Sequence, residues 1–169
     1  MFLTREPQGV ASLESFQIAT RNESLGRNPF EEACKVQRLF IQNYKSIAFH
    51  DVFSLDDMLS FNIEHVHFTR PISQKQFNRF LKHWIRGSNP RLQRMFLSID
   101  KNDLVNGEIH LKGIRCMEMS EEAKREIRRK HRLSVSVDMI QIRRKDGTTA
   151  VIGTNDSGNI LHVRFIVLH

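Results

Sequence analysis

The apolar positions between Ser73 and Asp100 change period once, and the change predicts a helix delivered onto a strand. Phe77, Phe80, Leu81, Trp84 and Ile85 recur at helical spacing, while Gln76, Arg79, Lys82 and Arg86 fall off that stripe. Both helix ends are signalled. Ser73 and Gln76 have the spacing of a capping box, Gly87 suits the left-handed residue that stops a helix, and Pro90 forbids resumption. Leu92, Met95, Leu97 and Ile99 then read as a strand entering a core.

A coarser pattern spans the first hundred residues. Apolar side chains fall at positions one, four and six in Leu13-Phe16-Ile18, Val36-Leu39-Ile41, Ile63-Val66-Phe68 and Leu92-Met95-Leu97, with starts 23, 27 and 29 residues apart. Those spacings lie in the range of leucine-rich repeats, and parallel strands need a crossover between them. The returns are Asn22 to Lys35 with Pro29 in a first helical turn, a short helix capped by Ser54, the Ser73 helix, and a fourth over Asp103 to Leu111 that Gly107 interrupts. The loop asparagine or cysteine of a true leucine-rich horseshoe is missing, since Arg21, Tyr44, Pro71 and Asp100 stand there. The expected fold is therefore α/β, with repeat-like (leucine-rich-repeat-like) strand–helix units and a parallel sheet. Leu39, Ile41, Val66, Phe68, Met95 and Leu97 are expected to line one core face.

Beyond the repeats, Ser120 to Arg132 reads as a charged helix, acidic at its start and basic at its end, with only Ala123 and Ile127 on an apolar side. Val135 to Ile152 reads as a β-hairpin turning at Asp146-Gly147. Asn155 to Gly158 is expected to be a second turn, and Ile160 to Leu168 a final strand, apolar on both faces in its later half and so central or covered. Residues 1–9, without periodicity and containing Pro7 and Gly9, read as a mobile arm before a single domain over 10–169.

Length and composition fit that reading: 169 residues, 40% hydrophobic and 27% charged, describe one ordinary globular domain. No apolar run approaches the roughly 20 residues that span a bilayer, and no signal peptide is visible, so no membrane partner is expected. Cys34 and Cys116 make neither a disulfide framework nor a zinc site and are expected to be reduced, partly buried thiols, which favours an intracellular protein, cytoplasmic or nuclear. The net charge of +7 is concentrated in residues 121–145, which hold nine Lys/Arg against four Asp/Glu. A charge run is ordinarily a solvated face. Here, though, Arg128, Arg129 and Lys130 at a helix end and Arg143, Arg144 and Lys145 at a hairpin tip form a candidate interaction surface for phosphate or an acidic peptide. Nucleic-acid or anion binding through residues 124–145 is thus the alternative function, although stacking aromatics are missing there.

Catalytic chemistry is harder to find. His65 and His67 share a strand face, with His50 before them, yet no cysteine or carboxylate stands at zinc spacing. Asp156-Ser157-Gly158 with His162 fits a turn better than a hydrolase, and Gly26, Gly87, Gly107 and Gly113 stand alone rather than in a phosphate loop. The expectation is a non-enzymatic protein with no catalytic residues, metal or cofactor. Trp84 belongs by its place in the stripe to a core rather than an interface.

The run NRFLKHWIRGSNPRLQRMFLSI, residues 78–99, resembles the F-box-associated domain (type 2) of the nematode F-box protein family. SLDDMLSFNIEHVHF before it and IRRKDGTTAVI after it extend the resemblance over roughly Ser54 to Ile152. The matching positions run from Asn78 through Phe80, Leu81, Trp84, Gly87, Asn89 and Pro90 to Arg143, Asp146 and Gly147. The resemblance implies a protein-recognition module, the substrate-binding domain of F-box proteins in cullin ubiquitin ligases, with an unknown protein substrate as partner. In such proteins an N-terminal F-box docks on a Skp-type adaptor. Residues 1–50 show no Leu-Pro start followed by closely spaced apolar helices, so direct adaptor binding is not expected of them.

Overall fold

The computed structural model describes residues 16–18, 45–50, 54–104 and 109–168. The expected arm over 1–9, the Pro29 return and the Val36-Leu39-Ile41 segment lie outside these residues. Among those described, eight strands form one mixed sheet: β1 (Phe16–Ile18), β2 (Ser46–Phe49), β3 (His65–Phe68), β4 (Arg94–Asp100), β5 (Cys116–Met117), β6 (Asp138–Arg143), β7 (Thr149–Ser157) and β8 (Ile160–Leu168). Their order across the sheet is β1-β2-β3-β4-β8-β7-β6-β5. The first four run parallel, and from β4 onward every pairing is antiparallel.

The helices form where the caps were legible. Ser54 and Ser73 each close a capping box, with Asp57 and Gln76 respectively, at the heads of α1 (Leu55–Ser60) and α2 (Gln74–Arg86). The returns β2-α1-β3 and β3-α2-β4 lay their apolar stripes on one face of the sheet. There Met58, Phe77, Phe80, Leu81 and Trp84 pack with Val66, Met95, Leu97, Val163 and Phe165 in the main core. A third helix, α3 (Glu121–His131), covers the opposite face near β6 and β7, where Ile127 meets Val137, Met139 and Val151. It is as thinly packed as its sequence predicts, Ile127 being its only buried residue.

The α/β class and the parallel pairing of β3 with β4 agree with expectation, Val66 standing opposite Met95. The leucine-rich-repeat-like reading does not. The strand beside β3 is Ser46–Phe49, so Ile47 and Phe49 face Val66 and Phe68 where Leu39 and Ile41 were expected. Phe16 pairs with Ile47, Ile47 with Val66 and Val66 with Met95, steps of 31, 19 and 29 residues. A solenoid stacks equal returns; here α1 has 6 residues and α2 has 13. Three of the four segments with the position-one, four and six pattern do end in parallel strands, β1, β3 and β4, while the place expected for the fourth, beside β3, is taken by Ser46–Phe49.

Three further corrections concern the connections. Among the described residues the fourth return shows no α-helix: a short 3-10 turn, Lys101–Asp103, follows β4, and residues 109–115 carry no helix. The β6–β7 hairpin turns through Lys145, Asp146 and Gly147 rather than two residues. The Gly147 amide donates to the Arg144 carbonyl, and its φ of 95° supplies the left-handed residue that a three-residue loop needs. Asn155, Asp156 and Ser157 lie in β7, and the second turn is Gly158-Asn159, with the φ of 60° at Gly158 that opens a type II′ turn. The final strand is central, between β4 and β7, as its two apolar faces predict.

Candidate protein-interaction groove

The residues with the densest sequence signature hold the scaffold together. Phe80, Leu81 and Trp84 are fully buried, with Trp84 meeting Phe165 edge-on at 5.0 Å and Phe80 meeting it at 6.1 Å. Gly87 ends α2 at a φ of 121°, its amide donating back to the last turn. Asn89 is left-handed, with a φ of 52°, and only 4% exposed. Its side-chain amide donates to the carbonyls of Met58 and Phe61 at 3.1 and 3.0 Å, satisfying the open C-terminus of α1. Pro90 follows in the exposed turn that leads to Leu92. Asn78 reaches the His110 carbonyl at 3.4 Å.

The hairpin tip docks on the end of α2. The Arg144 guanidinium donates to the Gly87 carbonyl at 2.6 Å, lies 5.6 Å over the Trp84 ring and pairs with Asp146 at 3.3 Å. The Lys145 amide donates to the Ile85 carbonyl at 3.0 Å. Asp146 in turn accepts from the Thr148 amide; that bond, together with Arg144, holds its carboxyl below the usual range. Arg144 is therefore a clamp, its side chain only 9% exposed, while Arg143 and Lys145 stand in solvent.

The other half of the expected basic surface lies elsewhere. Arg128 donates to the Val137 carbonyl at 3.2 Å and lies 3.9 Å from Glu121, with Arg129 and Lys130 exposed beside it. Val137 precedes β6 and Arg144 follows it, so the two basic groups sit at opposite ends of that strand, about 20 Å apart at a strand's usual rise. They do not form one grip.

What the fold does bring together is the sheet face that α1 and α2 leave uncovered and α3 covers only in part. Along β4 the side chains of Arg94, Phe96 and Ser98 point away from the main core. The register places Ile166, Arg164 and His162 of β8 opposite them. Half-buried Phe96 is the centre. His67 meets it edge-on at 4.8 Å, His162 stacks on it at 5.6 Å and 23°, and the Arg164 guanidinium lies 5.5 Å over the ring. Two hollows of about 290 and 250 Å³ flank this cluster and share Phe96 and Arg164. His65, His67, Arg94 and, from α3, His131 border the larger; Ser134, Val137 and Asn155 border the smaller. Val135, next to that border in the chain, is 83% exposed.

Three of the histidines here are shifted toward the neutral imidazole. Partial burial lowers the pKa of His65, His67 and His131, helped by Arg94 at His65, by His50 at His67, and by Arg94 and Lys130 at His131. A neutral imidazole keeps one donor and one acceptor, which suits hydrogen bonding to a partner's backbone or side chains. Among the described residues no three His, Cys, Asp or Glu side chains gather as a metal ion would need. The Asp156-Ser157-His162 arrangement is likewise dispersed. Asp156, opposite Leu161, projects from the other face of the sheet and pairs with Lys101, while His162 lies against Phe96. Cys116, expected to be half-buried, is an exposed free thiol because β5 is an outer strand.

Sequence reasoning singled out His65 and His67 but missed Phe96, Arg94, His131, His162 and Arg164 as a group. One signal was present: Arg94, Phe96, Ser98 and Asp100 form the polar face of β4, and one aromatic interrupts it. No helix among the described residues is long and apolar enough to cross a membrane.

No curated protein and no solved structure matches the chain. The family model described as F-box associated matches residues 35–97, a stretch that carries β2, α1, β3, α2 and most of β4, including Arg94 and Phe96 of the groove. Over this stretch, 63 of the 169 residues, the chain is similar to the F-box-associated family.

Proposed function

We propose that this chain is a non-catalytic substrate-recognition domain of the kind that serves cullin ubiquitin ligases, and that it holds its protein substrate on the Phe96 face of the sheet. The observation that carries this reading is the coincidence of two features. The family segment builds β3 and β4, and these strands, with β8, carry a half-open face of aromatic, histidine and arginine side chains beside the exposed Val135. Arginine and aromatic side chains are the residue types that dominate protein interfaces. The two hollows, about 290 and 250 Å³, are at the small end for a ligand pocket and can each take a side chain of a protein partner. The domain does not itself transfer ubiquitin or bind a Skp-type adaptor, and it works in the cytoplasm or nucleus, where its partners are. Nucleic-acid binding through residues 124–145 has less support, because Arg128 and Arg144 are committed to Val137 and Gly87 at opposite ends of β6.

Proximity labelling in cells, followed by mass spectrometry, tests the reading. Wild-type chain is expected to label a reproducible set of proteins, and Phe96→Ala to lose most of that set while its melting temperature stays close to wild type. A labelled set unchanged by Phe96→Ala would place recognition elsewhere on the molecule.

A further inference from the structure

The charges around Phe96 specify what kind of segment it receives. Elsewhere the described arginines near carboxylates are engaged: Arg91 with Glu64 at 3.0 Å, Arg144 with Asp146, Arg128 with Glu121. Arg94 and Arg164 are exposed, and neither has a carboxylate partner among the described residues. The residues bordering the two hollows include both of these arginines and no aspartate or glutamate. Arg94 stands opposite Ile166 and Arg164 opposite Phe96, so the two arginines are diagonal neighbours on antiparallel strands. Such neighbours lie about 7–8 Å apart. In an extended peptide, residues two positions apart point to the same side and are separated by about 6.6 Å. The two spacings correspond.

Resting on the reading of this face as the substrate site, we propose that it binds an extended acidic segment of a protein, with carboxylates two positions apart meeting Arg94 and Arg164. β4 lies between β3 and β8, and β8 between β4 and β7, so neither offers a free edge. The segment is recognised through its side chains and does not add as a strand. Phe96 serves as the floor between the two cations, its ring fixing Arg164 from below. A single-stranded nucleic acid fits less well, because the ring already carries His162 in a stack and Arg164 above it, leaving no face for a base.

Fluorescence anisotropy with a labelled peptide carrying a Glu-x-Glu pair, its Gln-x-Gln counterpart and a labelled oligothymidine decides the matter. The Glu peptide is expected to bind, and the Gln peptide to bind at least about tenfold more weakly, as loss of charge-assisted contacts implies. Arg94→Glu and Arg164→Glu are each expected to weaken the Glu peptide by a similar factor, while Arg129→Glu, outside the groove, changes it less than about twofold. Arg94→Gln and Arg164→Gln repeat the test without reversed charge should either reversal lower the melting temperature. Equal binding of the two peptides, indifference to Arg94 and Arg164, or tighter binding of oligothymidine would each overturn the proposal. If it fails while Phe96→Ala still loses the labelled partners, the face remains the recognition site and only the acidic character of its partner falls.

Discussion

Trp84→Ala is expected to destabilise the domain by about 3–5 kcal/mol, the range for removing a large aromatic side chain from a core. The indole is fully buried, stands edge-on to Phe165 at 5.0 Å and supports the Arg144 guanidinium at 5.6 Å. Its loss opens a cavity between α2 and β8 and lets water reach the clamp that fixes the β6–β7 turn. The indole N–H has no hydrogen-bond partner among the described residues, so the expected loss is one of packing. Trp84→Phe, which keeps an aromatic ring and removes that orphan donor, should cost clearly less. Urea or guanidinium melts of the three proteins measure this, and an unchanged midpoint for Trp84→Ala would contradict the packing described.

The second large effect is expected at Asn89, a polar residue whose replacement should behave like a core mutation. Its amide closes two backbone carbonyls at the end of α1, and its own backbone is left-handed. Asn89→Ala loses two hydrogen bonds of about 1 kcal/mol each and adds about 1–2 kcal/mol of left-handed strain. The sum is roughly 3–4 kcal/mol. Asn89→Gly keeps the backbone conformation at little steric cost and loses only the hydrogen bonds. It should therefore fall between wild type and Asn89→Ala in the same melts. If glycine proves as damaging as alanine, the left-handed backbone contributes nothing and the whole effect belongs to the side chain.

Features written into neighbouring residues were legible before any coordinates. The Ser73–Gln76 capping box, the stripe from Phe77 to Trp84, the Gly87 stop and the charged polarity of α3 depend on contacts three or four residues apart, and all appear in the structure. The position of β8 was legible too, because Phe165, Ile166 and Val167 are apolar on both faces and only a covered strand tolerates that. What failed depended on pairing at a distance. Ser46–Phe49 is a four-residue strand with two apolar positions, too short to outweigh a rival pattern over Val36 to Ile41. The role of Arg144 depends on Gly87, 57 residues away, so its charge read as a cationic tip when it closes a helix end. The groove was hidden for the same reason. Phe96, His162, Arg164 and His131 come from three elements, and only the antiparallel placement of β8 beside β4 makes them neighbours.

On the proposed reading, partners bind the Phe96 face and not the helical face. The most direct measurement is site-specific photocrosslinking in cells, with a benzophenone amino acid replacing either His67 or Lys75. Both positions are exposed; His67 borders the groove, whereas Lys75 lies on α2, which covers the other side of the sheet. The proteins found by proximity labelling are expected to crosslink from position 67 and not from position 75. Crosslinking from position 75 with none from position 67 would contradict that reading.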